Sequence, residues 1–148
     1  MERHNVAELM TRAVDSIDAQ SVIADVLASR FGDGQRHRAY PVLRDGVLLG
    51  VVDRAALLAV GERRHARFMH ELFGANAPLV ALPDETARAV AGRLAVNQIE
   101  RLPVVSDIGS MRLVGIISRS DLIKPSLGVF DEEEKRELFR HPPFRSAR

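Results

Sequence analysis

Small polar and acidic residues follow the last apolar strand of the sequence. Gly115-Ile116-Ile117 leads directly into Ser118, and Asp121 stands three residues later. A serine that opens a helix lies beside unpaired backbone N–H groups and the positive end of the helix dipole, which together favour an anion. A carboxylate at Asp121 can accept hydrogen bonds from two hydroxyl groups. Both residues are also good helix caps without a ligand, so the residues alone leave a binding site and a plain cap open.

Three short segments of the chain occur twice, at spacings of 62 to 65 residues. The spacing varies because the turn Arg44-Asp45-Gly46 is short and its counterpart, Ser106 to Met111, is long. Length changes in turns cost little free energy, so this variation is expected of a duplicated unit. The recurring pairs are Glu8-Leu9-Met10 with Glu71-Leu72-Phe73, Tyr40-Pro41-Val42-Leu43 with Leu102-Pro103-Val104-Val105, and Leu49-Gly50-Val51-Val52 with Val114-Gly115-Ile116-Ile117.

Each unit shows the same order of signals, which is strand, helix, strand, strand and helix. Apolar runs predict the strands, and apolar residues three and four apart predict the helices. In the first unit we expect Asp18 and Asp53 to cap the two helices and Gly61 to end the second. The predicted elements are a strand at Ala13–Ile17, a helix with Ile23, Val26, Leu27 and Phe31 inward, strands at Ala39–Leu43 and Val47–Val52 joined by Asp45-Gly46, and a helix at Arg54–Val60.

The second unit gives the same elements, with Asp84 and Ser118 as the expected helix caps. Its predicted elements are a strand at Leu79–Leu82, a helix from Glu85 to Val96, a hairpin of Arg101–Val105 and Leu113–Ile117, and a helix at Arg119–Ile123 that Pro125 stops. The chain thus divides into a first repeat at 1–61, a linker at 62–68, a second repeat at 69–124 and a tail at 125–148. Acidic residues followed by basic ones predict a helix at Asp131–Arg140 within the tail.

The composition excludes several classes of function. The 148 residues include no cysteine, which rules out a disulfide framework, a thiolate zinc site and a thiol nucleophile. A net charge of +1 argues against nucleic acid, which needs a clustered basic face. His37, His65 and His70 lack metal-ligand spacing, and no Ser-His-Asp arrangement or phosphate-binding loop indicates catalysis. From these missing patterns we expect a protein that is not an enzyme and binds no metal. Since no apolar run approaches the roughly 20 residues of a membrane span, we also expect the chain as given to be soluble and cytoplasmic.

The duplicated unit resembles the CBS domain. The resemblance rests on the Leu102-Pro103-Val104 strand, on the exit Gly115 to Leu122, and on the repetition of that order at about 60 residues. It covers roughly Val6 to Ile123, and two units in tandem look like a CBS pair, or Bateman module. The resemblance implies an α/β fold of two repeats, β-α-β-β-α each, packed with pseudo-two-fold symmetry. It also implies a regulatory module whose clefts between repeats hold adenosine nucleotides.

The family pattern assigns roles to individual residues of the second repeat. Asp121 would bind the ribose hydroxyls, Ser118 and Ser120 would face phosphate, and Arg101 would contact phosphate. Pro78, Leu79 and Val80 would enclose the adenine. The ligand would be AMP, ADP or ATP, with no cofactor required. The candidate binding residues are Pro78, Leu79, Val80, Arg101, Ser118, Arg119, Ser120 and Asp121.

The first repeat departs from the family pattern at two positions. Asp53 stands where the pattern has Ser or Thr, and Ala56 stands where it has Asp. A carboxylate at Asp53 repels phosphate, and the methyl group of Ala56 cannot hold a ribose. We therefore expect at most one nucleotide site per chain, in the second repeat.

The end of the second repeat resembles a narrower family. Ser120 to Leu127, followed by Phe130 to Arg136, is similar to the end of the cytosolic CBS region of bacterial CLC-type chloride channels and transporters. This resemblance implies that the chain is the cytosolic part of a longer inner-membrane protein. It also implies a homodimer, in which a nucleotide would modulate gating or transport by the channel portion of the same polypeptide.

Two other functions fit the same residues. The chain could be a free-standing CBS adenylate sensor for a soluble partner, or a ligand-free dimerisation scaffold in which Ser118 and Asp121 only cap a helix. An upstream reading frame that encodes ten or more apolar helices would favour the channel over the free-standing sensor. Titration with adenine nucleotides separates both from the scaffold.

Overall fold

Two small sheets, one from each repeat, form the centre of the fold. The computed structural model describes residues 4–32, 37–63, 67–74 and 76–123. The helices are α1 (Val6–Leu9), α2 (Ile23–Arg30), α3 (Arg54–Arg63), a 3₁₀ helix (Met69–Leu72), α4 (Ala87–Asn97) and α5 (119–123). The strands are β1 (Ile17–Asp18), β2 (Ala39–Arg44), β3 (Val47–Asp53), β4 (Arg101–Val105) and β5 (Leu113–Ser118). This order confirms the predicted α/β fold of two repeats.

Each repeat contains one antiparallel hairpin. Strands β2 and β3 pair antiparallel, as do β4 and β5, and β1 adds to β2 in parallel. The β2–β3 turn consists of Asp45 and Gly46, which have φ of 52° and 85°. Positive φ at both central residues is typical of a tight hairpin turn whose twist matches that of the strands.

The predicted first strand of each repeat is much shorter than expected. Residues 13–16 are not in a strand, so β1 begins at Ile17, and Ala81 forms a single parallel bridge to Val104 in place of the predicted strand Leu79–Leu82. The bridge uses hydrogen bonds from the Ala81 N–H to the Pro103 carbonyl and from the Val105 N–H to the Ala81 carbonyl. The next bond of this ladder would need an N–H on Pro103, which proline lacks. The proline that marks the repeat thus limits the parallel strand.

The predicted caps of the long helices are wrong in both repeats. Helix α2 begins after Val22, and the Asp18 carboxylate instead accepts a hydrogen bond from the Gln20 N–H at 2.8 Å in the preceding turn. Helix α4 begins after Thr86, whose hydroxyl accepts from the Ala89 N–H at 3.1 Å, and not after Asp84. Short polar side chains stabilise turns as readily as helix starts, so sequence does not distinguish the two uses.

Helix α3 also ends later than predicted. It continues through Gly61 to Arg63, although we expected Gly61 to end it. A glycine inside a helix costs only about 1 kcal/mol relative to alanine, so it does not by itself stop one. Residues 64–66 of the predicted linker and the predicted tail helix Asp131–Arg140 lie outside the described residues.

Each repeat sends its first segment into the core of the other repeat. Val6 of α1 is fully buried among residues of the second repeat, including Val90 and Ile117. Met69 of the 3₁₀ helix is fully buried in the first repeat's core, beside Ile17. The two sequence segments Glu8-Leu9-Met10 and Glu71-Leu72-Phe73 therefore belong to equivalent, exchanged elements.

Equivalent backbone hydrogen bonds hold the two exchanged segments in place. The Val6 N–H donates to the Glu85 carbonyl, and the Met69 N–H donates to the Ser21 carbonyl, both at 2.9 Å. The donors are 63 residues apart and the acceptors 64, as the duplication requires. The repeats are thus related by pseudo-two-fold symmetry, and neither core is complete without the other's leading segment.

A third connection joins the two hairpins. The Leu48 N–H donates to the Met111 carbonyl at 2.8 Å, and the Leu113 N–H donates to the Gly46 carbonyl at 3.0 Å. The sheets of the two repeats therefore meet edge to edge where each hairpin turns. The leading segments and the ends of the strands line the remaining space between the repeats.

Candidate functional site

A cleft lies between the repeats and is lined by both. It has a volume of about 190 Å³. From the first repeat it receives the segment that leads into β1 and the residues just before or at the start of β2. From the second repeat it receives the start of β4 and the end of β5 with the following helix. The lining residues are Thr11, Ala13, Val14, Asp15, His37, Ala39, Arg101, Ile116, Ser118 and Asp121.

Ser118 and Asp121 cap α5 by holding each other's backbone. The Asp121 N–H donates to the Ser118 hydroxyl at 3.2 Å, and the Ser118 N–H donates to an Asp121 carboxylate oxygen at 2.9 Å. This is the reciprocal arrangement of a capping box, with Asp in place of the usual Glu or Gln. Asp121 is 6% exposed, and both side chains line the cleft. The cap and the cleft wall are therefore the same pair of residues.

Ser120 and Arg119 differ in their relation to the cleft. The Ser120 hydroxyl lies 3.1 Å from the Ser118 hydroxyl, so it adjoins the cleft without being among its described lining residues. Arg119 instead pairs with Glu100, which lies between α4 and β4, with its guanidinium 3.5 Å from the Glu100 carboxylate in a solvent-exposed pair. Arg119 lines a separate groove beside α4, and the structure does not place it with Asp121 at the cleft.

The structure does not bring Pro78, Leu79 and Val80 to the cleft that contains Asp121. Leu79 is 47% exposed, and the Val80 carbonyl accepts a hydrogen bond from Arg93 of α4 at 2.9 Å. The leading segments are exchanged between repeats, so the segment facing Asp121 comes from the first repeat. Thr11, Ala13 and Val14 occupy that position, and sequence reasoning assigned them no role. The 63-residue spacing makes Asp15 the counterpart of Pro78, so it could have identified Asp15 as a lining residue, but not Thr11, Ala13 and Val14.

Asp15 and His37 form the other side of the cleft and were not predicted as site residues. A nitrogen of the His37 ring lies 3.0 Å from an Asp15 carboxylate oxygen. The His37 ring also contacts the edge of the Tyr40 ring, with centroids 5.4 Å apart. Asp15 belongs to the first repeat and Arg101 to the second, so a carboxylate and a guanidinium from different repeats both line the cleft.

The first repeat uses its equivalent residues differently. The Asp53 carboxylate accepts a hydrogen bond from the Ala56 N–H at 2.8 Å and so caps α3 alone. Ala56 is exposed and supplies no carboxylate where the second repeat has Asp121. Ala56 therefore cannot accept a hydrogen bond from the Asp53 N–H in the way that Asp121 accepts one from the Ser118 N–H.

A partly buried ion pair braces the segment before α4. Arg93 binds Glu85 through two parallel hydrogen bonds of 2.8 and 2.6 Å, and the Leu82 N–H donates to the same carboxylate at 2.9 Å. The Arg93 hydrogen bond holds the pKa of Glu85 below its ordinary value, with smaller help from Leu82, although burial opposes the shift. The Glu85 carbonyl also receives the Val6 N–H, so this network supports the exchanged α1.

Metal ligation has no support among the described residues. No group of three or more His, Asp or Glu side chains in that part of the chain could hold an ion. His65 lies outside the described residues, while His70 lies in the 3₁₀ helix. Within the same part of the chain, no helix is both long and apolar enough to cross a membrane.

The sequence of the chain matches a known protein family. The family model described as CBS domain matches residues 6–62 and 74–128. The chain belongs to the CBS domain family. The two matches fall on the two repeats, so the chain is a CBS pair, as predicted.

Individual proteins resemble this CBS pair over different lengths. The uncharacterized protein MJ1426 of Methanocaldococcus jannaschii is 48% identical over 46 residues, which are 31% of this chain and 26% of that protein. The chain thus covers about a quarter of that relative's length. Because such a match is short, it does not extend the relative's whole architecture to this chain.

Two solved structures share the fold of the CBS pair over most of its length. The first is CBSX2 in complex with AMP, with a TM-score of 0.68, 22% identity, and coverage of 86% of this chain and 98% of that chain. The second is the CBS domain of a bacterial CNNM/CorC family Mg²⁺ transporter in complex with ATP, with a TM-score of 0.66, 22% identity, and coverage of 86% and 89%. At these identities the likeness establishes the fold.

Proposed function

We propose that this CBS pair is a regulatory module that binds one adenosine nucleotide in the cleft between its repeats. The observation that carries the proposal is the meeting of Asp121, Ser118 and Arg101 with the segment Thr11–Val14 across one cleft. Support comes from the two similar CBS structures, which hold AMP and ATP respectively. The module is proposed to act by binding and not by catalysis.

Each group in the cleft has a task in this proposal. The Asp121 carboxylate accepts hydrogen bonds from ribose hydroxyls while it continues to cap α5. The Ser118 hydroxyl, with Ser120 beside it, donates to phosphate oxygens, and the Arg101 guanidinium pairs with phosphate charge. Backbone and apolar groups of Thr11–Val14 cover the base. A ligand bound in this way would connect the two repeats, because its contacts come from both.

Regulation would follow from preferential binding to one arrangement of the repeats. A nucleotide that fits one arrangement better shifts the population toward it, and the attached protein experiences the shift. A ligand at about 100 times its dissociation constant supplies only about 2.7 kcal/mol. The equilibrium under control must therefore be nearly balanced before the ligand binds.

Calorimetric titration tests the proposal. AMP, ADP and ATP are titrated into the wild-type chain and into Asp121→Ala, with Asp25→Ala on the exposed surface of α2 as the control. We expect weak binding that Asp121→Ala abolishes and the control retains. Absence of heat with all three nucleotides would reject the sensor and favour the ligand-free scaffold, in which Ser118 and Asp121 only cap α5.

For the protein to which the module is attached, we propose a membrane transport protein of the CLC type. This rests on the similarity of residues 120–136 to CLC-type proteins, of which the structure describes residues 120–123. The alternative is a free-standing cytoplasmic sensor. An upstream reading frame with ten or more apolar helices is the result expected for the CLC-type protein. A native polypeptide that remains in the soluble fraction at the size of the CBS pair would favour the sensor.

We also propose that the module is a homodimer, with a second copy packing against its exposed helices. Val96 of α4 is 82% exposed and Ile123 of α5 is 53% exposed. Multi-angle light scattering of the purified chain measures the mass directly. A monomer at micromolar concentration would contradict this part of the proposal, whereas a dimer that Val96→Glu dissociates would support it.

A further inference from the structure

Asp15 lies on the side of the cleft where the base of the proposed nucleotide would bind. It follows directly after Val14 in the first repeat's leading segment, which is proposed to cover the base. The 63-residue spacing makes it the counterpart of Pro78, a residue that the family pattern assigns to the adenine. Ser118 and Asp121, the proposed contacts to phosphate and ribose, line the cleft from the second repeat. A carboxylate therefore stands beside the base and not beside the phosphate.

The His37 ring holds the Asp15 carboxylate in position. Nε2 of the ring lies 3.0 Å from Oδ2 of Asp15. A carboxylate only accepts hydrogen bonds, so Nε2 is the donor in this contact. The edge of the ring system of Tyr40, a residue that is 3% exposed, packs against the imidazole at an interplanar angle of 86°. A residue of the core thus supports the imidazole, and the imidazole orients the carboxylate.

The Asp15 carboxylate can accept a further hydrogen bond from a ligand. Its two oxygens offer about four lone-pair sites, and the bond from His37 uses one of them. The Asp15 side chain is 53% exposed and lines the cleft, so a ligand in the cleft can reach it. Among the described lining residues of the first repeat, it is also the one side chain with a negative charge.

The edges of adenine make such an acceptor informative. The exocyclic amino group at C6 is the hydrogen-bond donor of adenine, whereas its ring nitrogens are acceptors. Hypoxanthine and guanine carry a carbonyl oxygen at C6, which is an acceptor. A carboxylate next to that position would bond to the amino group and would repel the carbonyl oxygen. The group at C6 thus distinguishes the purines that an acceptor on the base side of the cleft can bind.

We propose that Asp15, oriented by His37, accepts a hydrogen bond from the 6-amino group of the base and makes the cleft select 6-aminopurine nucleotides over 6-oxopurine nucleotides. This inference rests on the proposed function and adds the residue that determines the choice of base. A hydrogen bond to a charged acceptor is stronger than one between neutral groups, so its loss should weaken binding about tenfold.

The experiment is a calorimetric titration of three nucleotides that differ only at the base. AMP has the amino group, inosine monophosphate has a carbonyl oxygen in its place, and purine riboside monophosphate has only hydrogen there. Because ribose and phosphate are the same in all three, contacts to Asp121, Ser118 and Arg101 cancel in the comparison. The full chain is titrated as wild type, Asp15→Ala and Asp15→Asn, with Asp25→Ala on the exposed surface of α2 as the control.

We expect the wild-type chain and Asp25→Ala to bind AMP about tenfold more tightly than purine riboside monophosphate, and inosine monophosphate more weakly still. Asp15→Ala should bind AMP and purine riboside monophosphate about equally. Asp15→Asn should bind AMP and inosine monophosphate about equally, because an amide can either accept or donate. Asp15 lies outside both cores, so both variants should fold.

The failure of this inference differs from the failure of the proposed function. Equal binding of the three nucleotides by the wild-type chain would overturn the inference and leave the nucleotide site intact. The same holds if Asp15→Ala weakens all three equally, because that result would indicate a role in the shape of the cleft. No binding of any of the three would overturn both.

Discussion

Met10 lies directly against Gly115, although the two residues belong to different repeats. A Cβ atom at Gly115 would come 2.8 Å from the Met10 sulfur and 2.8 Å from the Thr11 carbonyl oxygen. Phe73 has the same relation to Gly50, the equivalent glycine of the first repeat. Glycine is thus needed at this position of both β3 and β5, because the other repeat's leading segment packs against that face of the strand. After Met10, the first repeat's leading segment reaches the cleft, which Thr11, Ala13, Val14 and Asp15 line.

Replacing Gly115 with alanine should destabilise the chain. The added methyl group would push against the backbone of Thr11, which cannot move without disturbing its hydrogen bonds with Ile116 at 2.9 Å. Overpacking of this kind costs about 1–3 kcal/mol. We expect the urea midpoint of Gly115→Ala to fall accordingly at an unchanged slope.

Gly92 provides the matched control for that substitution. It lies within α4, and a Cβ atom there would meet no atom within 4 Å. Alanine is the better helix former, so Gly92→Ala should stabilise the chain by about 0.4–1 kcal/mol. If the two variants lost equal stability, steric contact with Met10 and Thr11 would not be the reason for the glycine.

The Glu85–Arg93 pair should contribute stability at neutral pH that disappears in acid. The pKa of Glu85 is lowered in the folded chain from its ordinary 4.5, so folding favours the ionised carboxylate. Its contribution is complete above pH 4.5 and is lost as the pH falls through the lower, folded value. Glu85→Gln should cost about 1–2 kcal/mol at pH 7, since hydrogen bonds to charged groups are among the stronger ones.

Urea unfolding across a pH series measures that difference. The midpoints of wild type and Glu85→Gln should differ by a constant amount above about pH 5 and converge as the pH falls below the ordinary pKa of 4.5. Glu100→Gln is the control, because its pair with Arg119 is about 70% exposed on both sides and should contribute little. A gap between wild type and Glu85→Gln that does not narrow as the pH falls below 4.5 would show that the effect is not ionic.

Local sequence patterns predicted the hairpins and the order of elements because those features depend on neighbours in the chain. The Asp45-Gly46 turn and the apolar strands around it need no distant partner to be identified. The exchange of α1 and the 3₁₀ helix could not be predicted in this way. The pattern shows that Val6 and Met69 are apolar, but a buried position looks the same whichever core surrounds it.

The candidate site was also predicted only in part. The residues that the sequence missed again depend on contacts between the two repeats. Ser118, Asp121 and Arg101 were identified from a motif and do meet at one cleft. Pro78, Leu79 and Val80 were expected there because the base contacts were assigned to the second repeat's own leading segment, although the cleft itself was expected between the repeats. Asp15 and His37 are 22 residues apart and belong to no motif, so their pairing depends on the fold alone.

The two roles of Asp121 can be separated by substitution. Asp121→Asn keeps an oxygen that can accept from the Ser118 N–H, so it should retain this half of the capping box, whereas Asp121→Ala leaves that partly buried N–H without its acceptor and should cost about 1–3 kcal/mol. The Ser118 hydroxyl still accepts from the backbone N–H of residue 121 in both variants. We expect both variants to weaken nucleotide binding, measured by calorimetry, while thermal unfolding distinguishes their stabilities. If Asp121→Asn bound as tightly as wild type, the carboxylate charge would have no part in recognition.

The first repeat offers a reconstruction of the missing motif. The double variant Asp53→Ser with Ala56→Asp would restore the serine and the carboxylate that the second repeat has at Ser118 and Asp121. The Asp53 carboxylate now caps α3 through the Ala56 N–H, and a serine at the same position can accept that hydrogen bond, so the helix start should survive. We expect the calorimetric stoichiometry for AMP to rise from one to two per chain. A well-folded double variant that still binds one nucleotide would mean that the shape of the first cleft, and not these two side chains, excludes the ligand.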